Sequence, residues 1–205
     1  MIEAHEALPD VVEATRYEIL RHAEDLFGHY GFSKTNMSDI AGRCGMSAGN
    51  LYRYYRNKQA IGVAVIEAVL QQMEADMDAA LTGLEGREAR IRAILRSGTQ
   101  CIVDEMNRNP RLMEMVDFMT NEDEPYAVLY AHIARKRDRL MHEIDQGIAE
   151  GVFADVPSYE TAVNLMHGTK AFQMPQSLHA WKDRSTILPE LDGVLDLIFM
   201  GLRKR

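Results

Sequence analysis

The chain has 205 residues, 46% of them hydrophobic and 26% charged, with a net charge of −8; this is the composition of an ordinary globular protein able to bury a core. No run approaches the roughly 20 apolar residues that cross a bilayer, residues 1–20 carry acids and lack the apolar stretch of a signal peptide, and Cys44 and Cys101 lack metal-ligand spacing. We therefore expect a cytoplasmic protein with reduced thiols and no membrane contact, metal or cofactor.

Apolar residues recur at three- and four-residue spacings almost throughout, and no segment alternates with a period of two, so the chain reads as all-α with about nine helices. Asp10 with Glu13, or Thr15 with Glu18, suits a capping box for the first helix. Its buried face is Ile19, Leu20, Ala23, Leu26 and Phe27, and Gly31 ends it. Two short helices follow, Asn36 to Cys44 and Ser47 to about Tyr54. A long helix is predicted over Lys58–Leu81, another over Arg87 to Asn107 that stops before Pro110, and a short one over Arg111 to Thr120. The next spans about Pro125 to Glu150. Ser158 then caps a helix reaching Trp181 with a kink at Pro175, and a last helix starts near Ser185 or Pro189.

The informative stretch runs from Thr35 to Lys58. Asn36, with Asp39 three residues on, caps the first short helix, Gly45 permits the left-handed turn that ends it, and Ser47 caps the second. Two short helices around a glycine turn are a helix-turn-helix. Ile40, Ala41, Cys44, Met46, Leu51 and Tyr55 have the spacing to lock the pair onto its neighbours. Ser47, Ala48, Gly49 and Asn50, all small or amide-bearing, open the second helix, where a recognition helix enters the major groove. Asn50 suits a bidentate contact to adenine. Tyr52, Arg53, Tyr54 and Lys58 offer hydroxyls and charges for phosphate, while Tyr55 packs. Charge agrees: residues 33–58 set five basic side chains against Asp39 alone, although residues 1–32 hold two arginines against seven acids. Local charge decides because physiological salt screens beyond about 8 Å.

These residues resemble the DNA-binding domain of TetR/AcrR-type regulators. The likeness runs from Arg16 to about Leu70. It includes I-L-R-H-A-E-D-L-F-G-H-Y-G-F at 19–32, D-I-A-G-R-C-G-M-S-A-G-N-L-Y-R-Y-Y at 39–55, and the N-K-Q-A that opens the long helix. The resemblance implies phosphate contacts at Arg16, Thr35, Tyr52, Tyr54 and Lys58, and groove-facing positions at Ser38, Ser47, Ala48, Gly49, Asn50 and Arg53. Asn36 and Ala48 depart from the family's commoner Thr and larger polar residue. It also implies a DNA-binding domain over 1–57, a helical C-terminal domain over 58–205 that dimerises and holds a small-molecule effector, and a repressor released from a palindromic operator.

Apolar stripes support a homodimer independently. Tyr159, Val163 and Met166 on one helix, and Leu191, Val194, Leu195, Ile198, Phe199 and Leu202 on the last, offer more surface than two helices hide alone, so a four-helix bundle between subunits is expected. The alternative is that both stripes face their own core. For an apolar effector pocket the candidates are Met115, Phe118, Met119, Tyr126, Tyr130, Met166, His167 and Phe172, with His132, His142 and His179 as further polar anchors. A helical-bundle enzyme is the competing class, but no histidine has Glu three residues before it and no phosphate loop or nucleophile elbow occurs. A protein-interaction module without DNA binding leaves the basic window unexplained.

Overall fold

The computed structural model describes residues 11–111, 115 and 123–204, the side chains of 123–126 excepted. Among them it has nine α-helices and no β-strand. Helix α1 spans Val11–Tyr30, α2 Met37–Arg43, α3 Ala48–Leu51, α4 Lys58–Leu81, α5 Arg87–Arg108 and α6 Asp123–Ala149; α7 spans Ser158–Gly168, α8 Pro175–Leu178 and α9 Ile187–Leu202.

In α1 the predicted stripe is the buried one. Ile19, Ala23 and Phe27, four apart, are fully enclosed. Gly31 ends the helix at φ 89° and donates its N–H to Phe27 O at 2.9 Å. Thr15 forms no capping box, because its hydroxyl bonds to Val11 O within the helix, and Asp10 lies outside the described residues. The same holds for most of the short helix expected over 111–120. The Asn57 side chain caps α4 through the Ala60 N–H at 2.8 Å.

The helix expected from Ser158 to Trp181 is instead three pieces. It stops at Gly168; Thr169 turns its hydroxyl back onto Leu165 O, and a 3-10 turn covers Lys170–Phe172. Pro175 does not kink a continuous helix but opens α8 at its first position, where the missing N–H is no loss. Ser185 does not cap α9 either. Asp183 does the local capping, accepting the Ser185 N–H at 2.9 Å over a 3-10 turn, and Pro189 falls in the first turn of α9.

Helix α4 packs on α1, α5 and α6, α5 on α6 and α9, and α6 on α7. The buried side chains form one connected cluster from Ile19 to Leu202. Ion pairs lock the crossings. Buried Glu143 of α6 accepts from Arg87 and Arg90 of α5, each at 2.9 Å. Arg92 of α5 reaches Asp196 of α9 at 2.6 Å, Arg96 pairs with Asp192, and Arg203 pairs with Glu88 at 2.8 Å.

The last helix requires a correction. Leu191, Leu195 and Phe199 are 0% exposed and Leu202 6% within the single chain, so this stripe is core and has no surface left for a partner. The reason is that the densest apolar stripe of a helix goes to its own domain first, where burial is worth about 1.5–3 kcal/mol per large side chain. What α9 presents outward is Leu197, 72% exposed, and Met200, 67% exposed. Half-buried Val194 and Ile198 adjoin them; on α7 Tyr159 is exposed and Val163 and Met166 are half-buried.

Candidate nucleic-acid interface

Helices α2 and α3 are too short to persist alone, and local side chains hold them. Asn36 and Asp39 form the expected capping box: Asn36 Oδ1 accepts the Asp39 N–H at 3.0 Å, and Asp39 Oδ2 accepts the Asn36 N–H at 2.9 Å. Gly45 takes φ 67°, a conformation open to glycine at little cost, and Ser47 Oγ accepts the Asn50 N–H at 3.2 Å. The α3 helix is one turn shorter than expected, Ala48–Leu51, and tightens into turns through Tyr54. Ile40, Ala41, Leu51 and Tyr55 are buried beneath the pair, with Cys44 and Met46 half-buried.

One face of this unit is left outside. Asn36, Ser38, Ser47, Gly49, Tyr52 and Arg53 are exposed, and Ala48, Asn50 and Tyr54 are half-buried beside them. Arg16 of α1 joins the same end of the molecule, exposed at the tip, with its guanidinium 5.2 Å from the Tyr55 ring centroid. Tyr55 therefore packs and also orients Arg16. A shallow open hollow of about 390 Å3 lies here, lined by Arg16, Tyr54, Tyr55, Arg56 and the first three turns of α4.

Two expected phosphate contacts fall elsewhere. Thr35 is 3% exposed and its hydroxyl donates to Gly31 O at 3.0 Å. The Lys58 ammonium donates to Phe32 O and Thr35 O, both at 2.8 Å, and sits 4.5 Å from the Phe32 ring centroid. Burial holds its pKa below the ordinary lysine value. The Thr35 hydroxyl closes the turn after α1 on itself, and the Lys58 ammonium ties that turn to the start of α4. Sequence spacing alone could not distinguish a lysine at a helix start that faces solvent from one that folds back onto carbonyls.

At its other end α4 is tied to α6. Glu74 Oε1 is bonded by buried His132 at 2.9 Å and by Arg135 at 2.8 Å, and Asp78 pairs with Arg139. The pocket candidates scatter. Met115 and Phe172 are buried, Met166 is half-buried, His167 is exposed and Tyr130 is 59% exposed on the outside of α6. Phe118, Met119 and the Tyr126 side chain lie outside the described residues. Tyr130 fails because it stands off the stripe by which α6 meets α4, α5 and α7. A second hollow, about 390 Å3 at Ala180–Asp183 with Thr186 and Glu190, is an open surface feature.

Residues 19–65 match the family model for bacterial regulatory proteins of the tetR family, and residues 88–194 match the tetracyclin repressor-like C-terminal domain. The second match covers more than half of the chain, over helices the structure places in one cluster with the first. The chain belongs to the TetR family. It is 33% identical over 73 residues to the transcriptional regulator BetI of Agrobacterium fabrum, covering 36% of this chain and 35% of that one. It is 37% identical over 59 residues to RutR of Escherichia coli K12, covering 29% and 28%. These matches thus span about a third of the relatives' length. Structural likeness is far longer. A TetR transcription regulator of Haloarcula marismortui superposes with a TM-score of 0.74 at 19% identity, covering 93% of this chain and 100% of that one. A protein of Saccharomonospora viridis, assigned as a transcriptional regulator and solved with choline, gives 0.74 at 16%, covering 94% and 100%. At such identity the likeness establishes the TetR fold. The family is one of bacterial regulatory proteins, and the segment that matches its N-terminal model, residues 19–65, contains the capped pair α2 and α3. No helix among the described residues is long and apolar enough to cross a membrane.

Proposed function

We propose that this TetR-family chain acts in the cytoplasm as a homodimeric repressor that binds a palindromic operator through residues 1–57 and is released by a small-molecule effector bound within residues 58–205. The observation that supports it most is the outward face of the helix-turn-helix. Small residues stand at the exposed start of α3, where a backbone can approach a groove, with Asn50 beside them and Arg16, Tyr52, Arg53 and Tyr54 around the rim. Asn50 reads a base edge; the rim side chains hold phosphates and give binding its salt dependence.

The partner surface is the outward face of α7 and α9. Leu197 and Met200 form its apolar centre, and Tyr159, Val163, Met166, Val194 and Ile198 flank it; two copies make a four-helix bundle about a two-fold axis. Such a dimer spaces two recognition helices for two half-sites. Because α4 is clamped by Lys58 to the turn that leads into the helix-turn-helix, and to α6 by Glu74 and Asp78, an effector that favours a shifted α6 changes that spacing. The choline complex of the Saccharomonospora viridis protein supports a small-molecule effector as a class.

The test is fluorescence anisotropy of the full chain on duplexes tiled across the DNA flanking its coding region, at two salt concentrations with random competitor. Competitor-resistant binding to one palindrome is expected. Asn50→Ala should cost about 1–3 kcal/mol and relax preference at one base position. Failure here and in a selection from random duplexes defeats the operator reading.

A further inference from the structure

The interior of the C-terminal half holds a cation without a counter-charge among the described residues. Lys136 of α6 is 9% exposed, and its ammonium donates to Gln173 Oε1 at 2.6 Å. Gln173 is itself fixed, its Nε2 donating to Leu95 O at 2.9 Å and Thr99 Oγ1 at 2.5 Å. An ammonium has three hydrogens, and one amide oxygen satisfies one of them. On α4, the Glu74 carboxylate is taken by His132 and Arg135. On α5, Gly98 faces the pair: a Cβ there would lie 4.0 Å from Lys136 Nζ and 3.2 Å from Gln173 Oε1, so the missing side chain is what lets the amide and the ammonium pack this closely against α5. Phe172, adjacent to Gln173, is buried with its ring 5.5 Å from that of Trp181, which supplies apolar surface at the same turn.

An isolated buried cation is costly, and a neutral or apolar residue would serve packing alone better. We propose that Lys136, positioned by Gln173 and Thr99, is the recognition point for the anionic head of the effector, an amphipathic carboxylate. This rests on the reading of the chain as an effector-responsive regulator. Burial lowers the Lys136 pKa to about 8, so in the free protein near that pH the group is only part charged, and an arriving carboxylate draws a proton onto it. His132 stands one helical turn before Lys136; burial, and with it the Lys136 charge, holds its pKa below the ordinary value. A carboxylate that neutralises Lys136 removes that charge, lets His132 hold a proton more readily against Glu74, and so acts on the α4–α6 contact. The same charge rejects a quaternary ammonium.

The full chain is titrated calorimetrically with acetate, benzoate and octanoate, with octanamide and choline as controls. Octanoate should bind most tightly, benzoate and acetate more weakly, and the two controls not at all. Lys136→Met, checked for folding by circular dichroism, should weaken octanoate by roughly tenfold or more. In the wild type at pH 8, binding should take up about half a proton, read from the dependence of the heat on buffer ionisation enthalpy. That readout decides the matter where the variant does not fold. Equal binding of octanoate and octanamide, absence of proton uptake, full affinity in Lys136→Met, or no carboxylate binding up to ~50 mM each overturns the proposal. Operator binding is measured alongside without ligand. If it is intact while carboxylates fail, this assignment alone falls; if it is absent, the regulator reading falls instead.

Discussion

The helix-turn-helix and the α7–α9 end of the molecule are built on different physics. In α2 and α3 the stabilising contacts lie within four residues of one another: Asn36 with Asp39, Ser47 with Asn50, and Gly45 at the turn. At the other end they lie across the chain, as with Arg92 and Asp196 or Arg203 and Glu88, and helix orientation depends on which face reaches the core first. In a local unit the exposed residues divide by position: Asn36, Asp39 and Ser47 hold the helices as caps, while Gly49, Tyr52 and Arg53 carry no capping bond and leave the fold intact when changed. A long-range unit has no such separation; its apolar residues divide between core and partner only when the helices meet.

That contrast can be broken at several points. Phe199→Ala, in a fully enclosed site stacked on Phe153, should cost about 3–5 kcal/mol in chemical unfolding of the whole chain. Leu197→Asp, one face away on the same helix, should leave the monomer folded yet weaken dimerisation by roughly a hundredfold, read by sedimentation equilibrium. If the two variants behave alike, the division of α9 into a core face and a partner face is wrong. Lys58→Met leaves the carbonyls of Phe32 and Thr35 without their donor and should destabilise by about 1–3 kcal/mol. Its operator binding should keep the salt slope of the wild type, whereas a slope lowered by about one unit would return Lys58 to the phosphate contacts. Asp39→Ala opens the capping box and should cost about 1 kcal/mol, seen as a lower melting temperature of the N-terminal unit.

The smallest effect is that of pH. Burial, partly offset by the Glu74 hydrogen bond and reinforced by Lys136 and Arg135, holds His132 below its ordinary value of 6.5. An unfolded chain binds this proton more readily, so the contribution is fully present above pH 6.5 and is lost as pH falls below it. Melting temperature between pH 5 and 8 should therefore decline on the acid side less steeply in His132→Asn than in the wild type.

The local build of the helix-turn-helix was accessible from spacing because caps and glycine turns obey rules that act within a few residues. Thr35 and Lys58 were not, since nothing local shows that a hydroxyl and an ammonium turn back onto carbonyls. Lys136 left a signal of another kind: with His132 and Glu143 it interrupts an α6 stripe otherwise made by Leu129, Leu140 and Ile144. A charge on an apolar stripe marks an interior site, but its neighbours Gln173 and Gly98 come from distant segments.

By itself the sequence determined the helical class, the long helices and the capped helix-turn-helix, because periodicity, capping and glycine turns act over one or two turns of chain. Tertiary structure alone decided which apolar face of α9 is core, where the chain breaks between Gly168 and Pro175, and which cations are committed inside. Those outcomes depend on the competition for burial among segments far apart in sequence, and that competition is settled only when the helices pack.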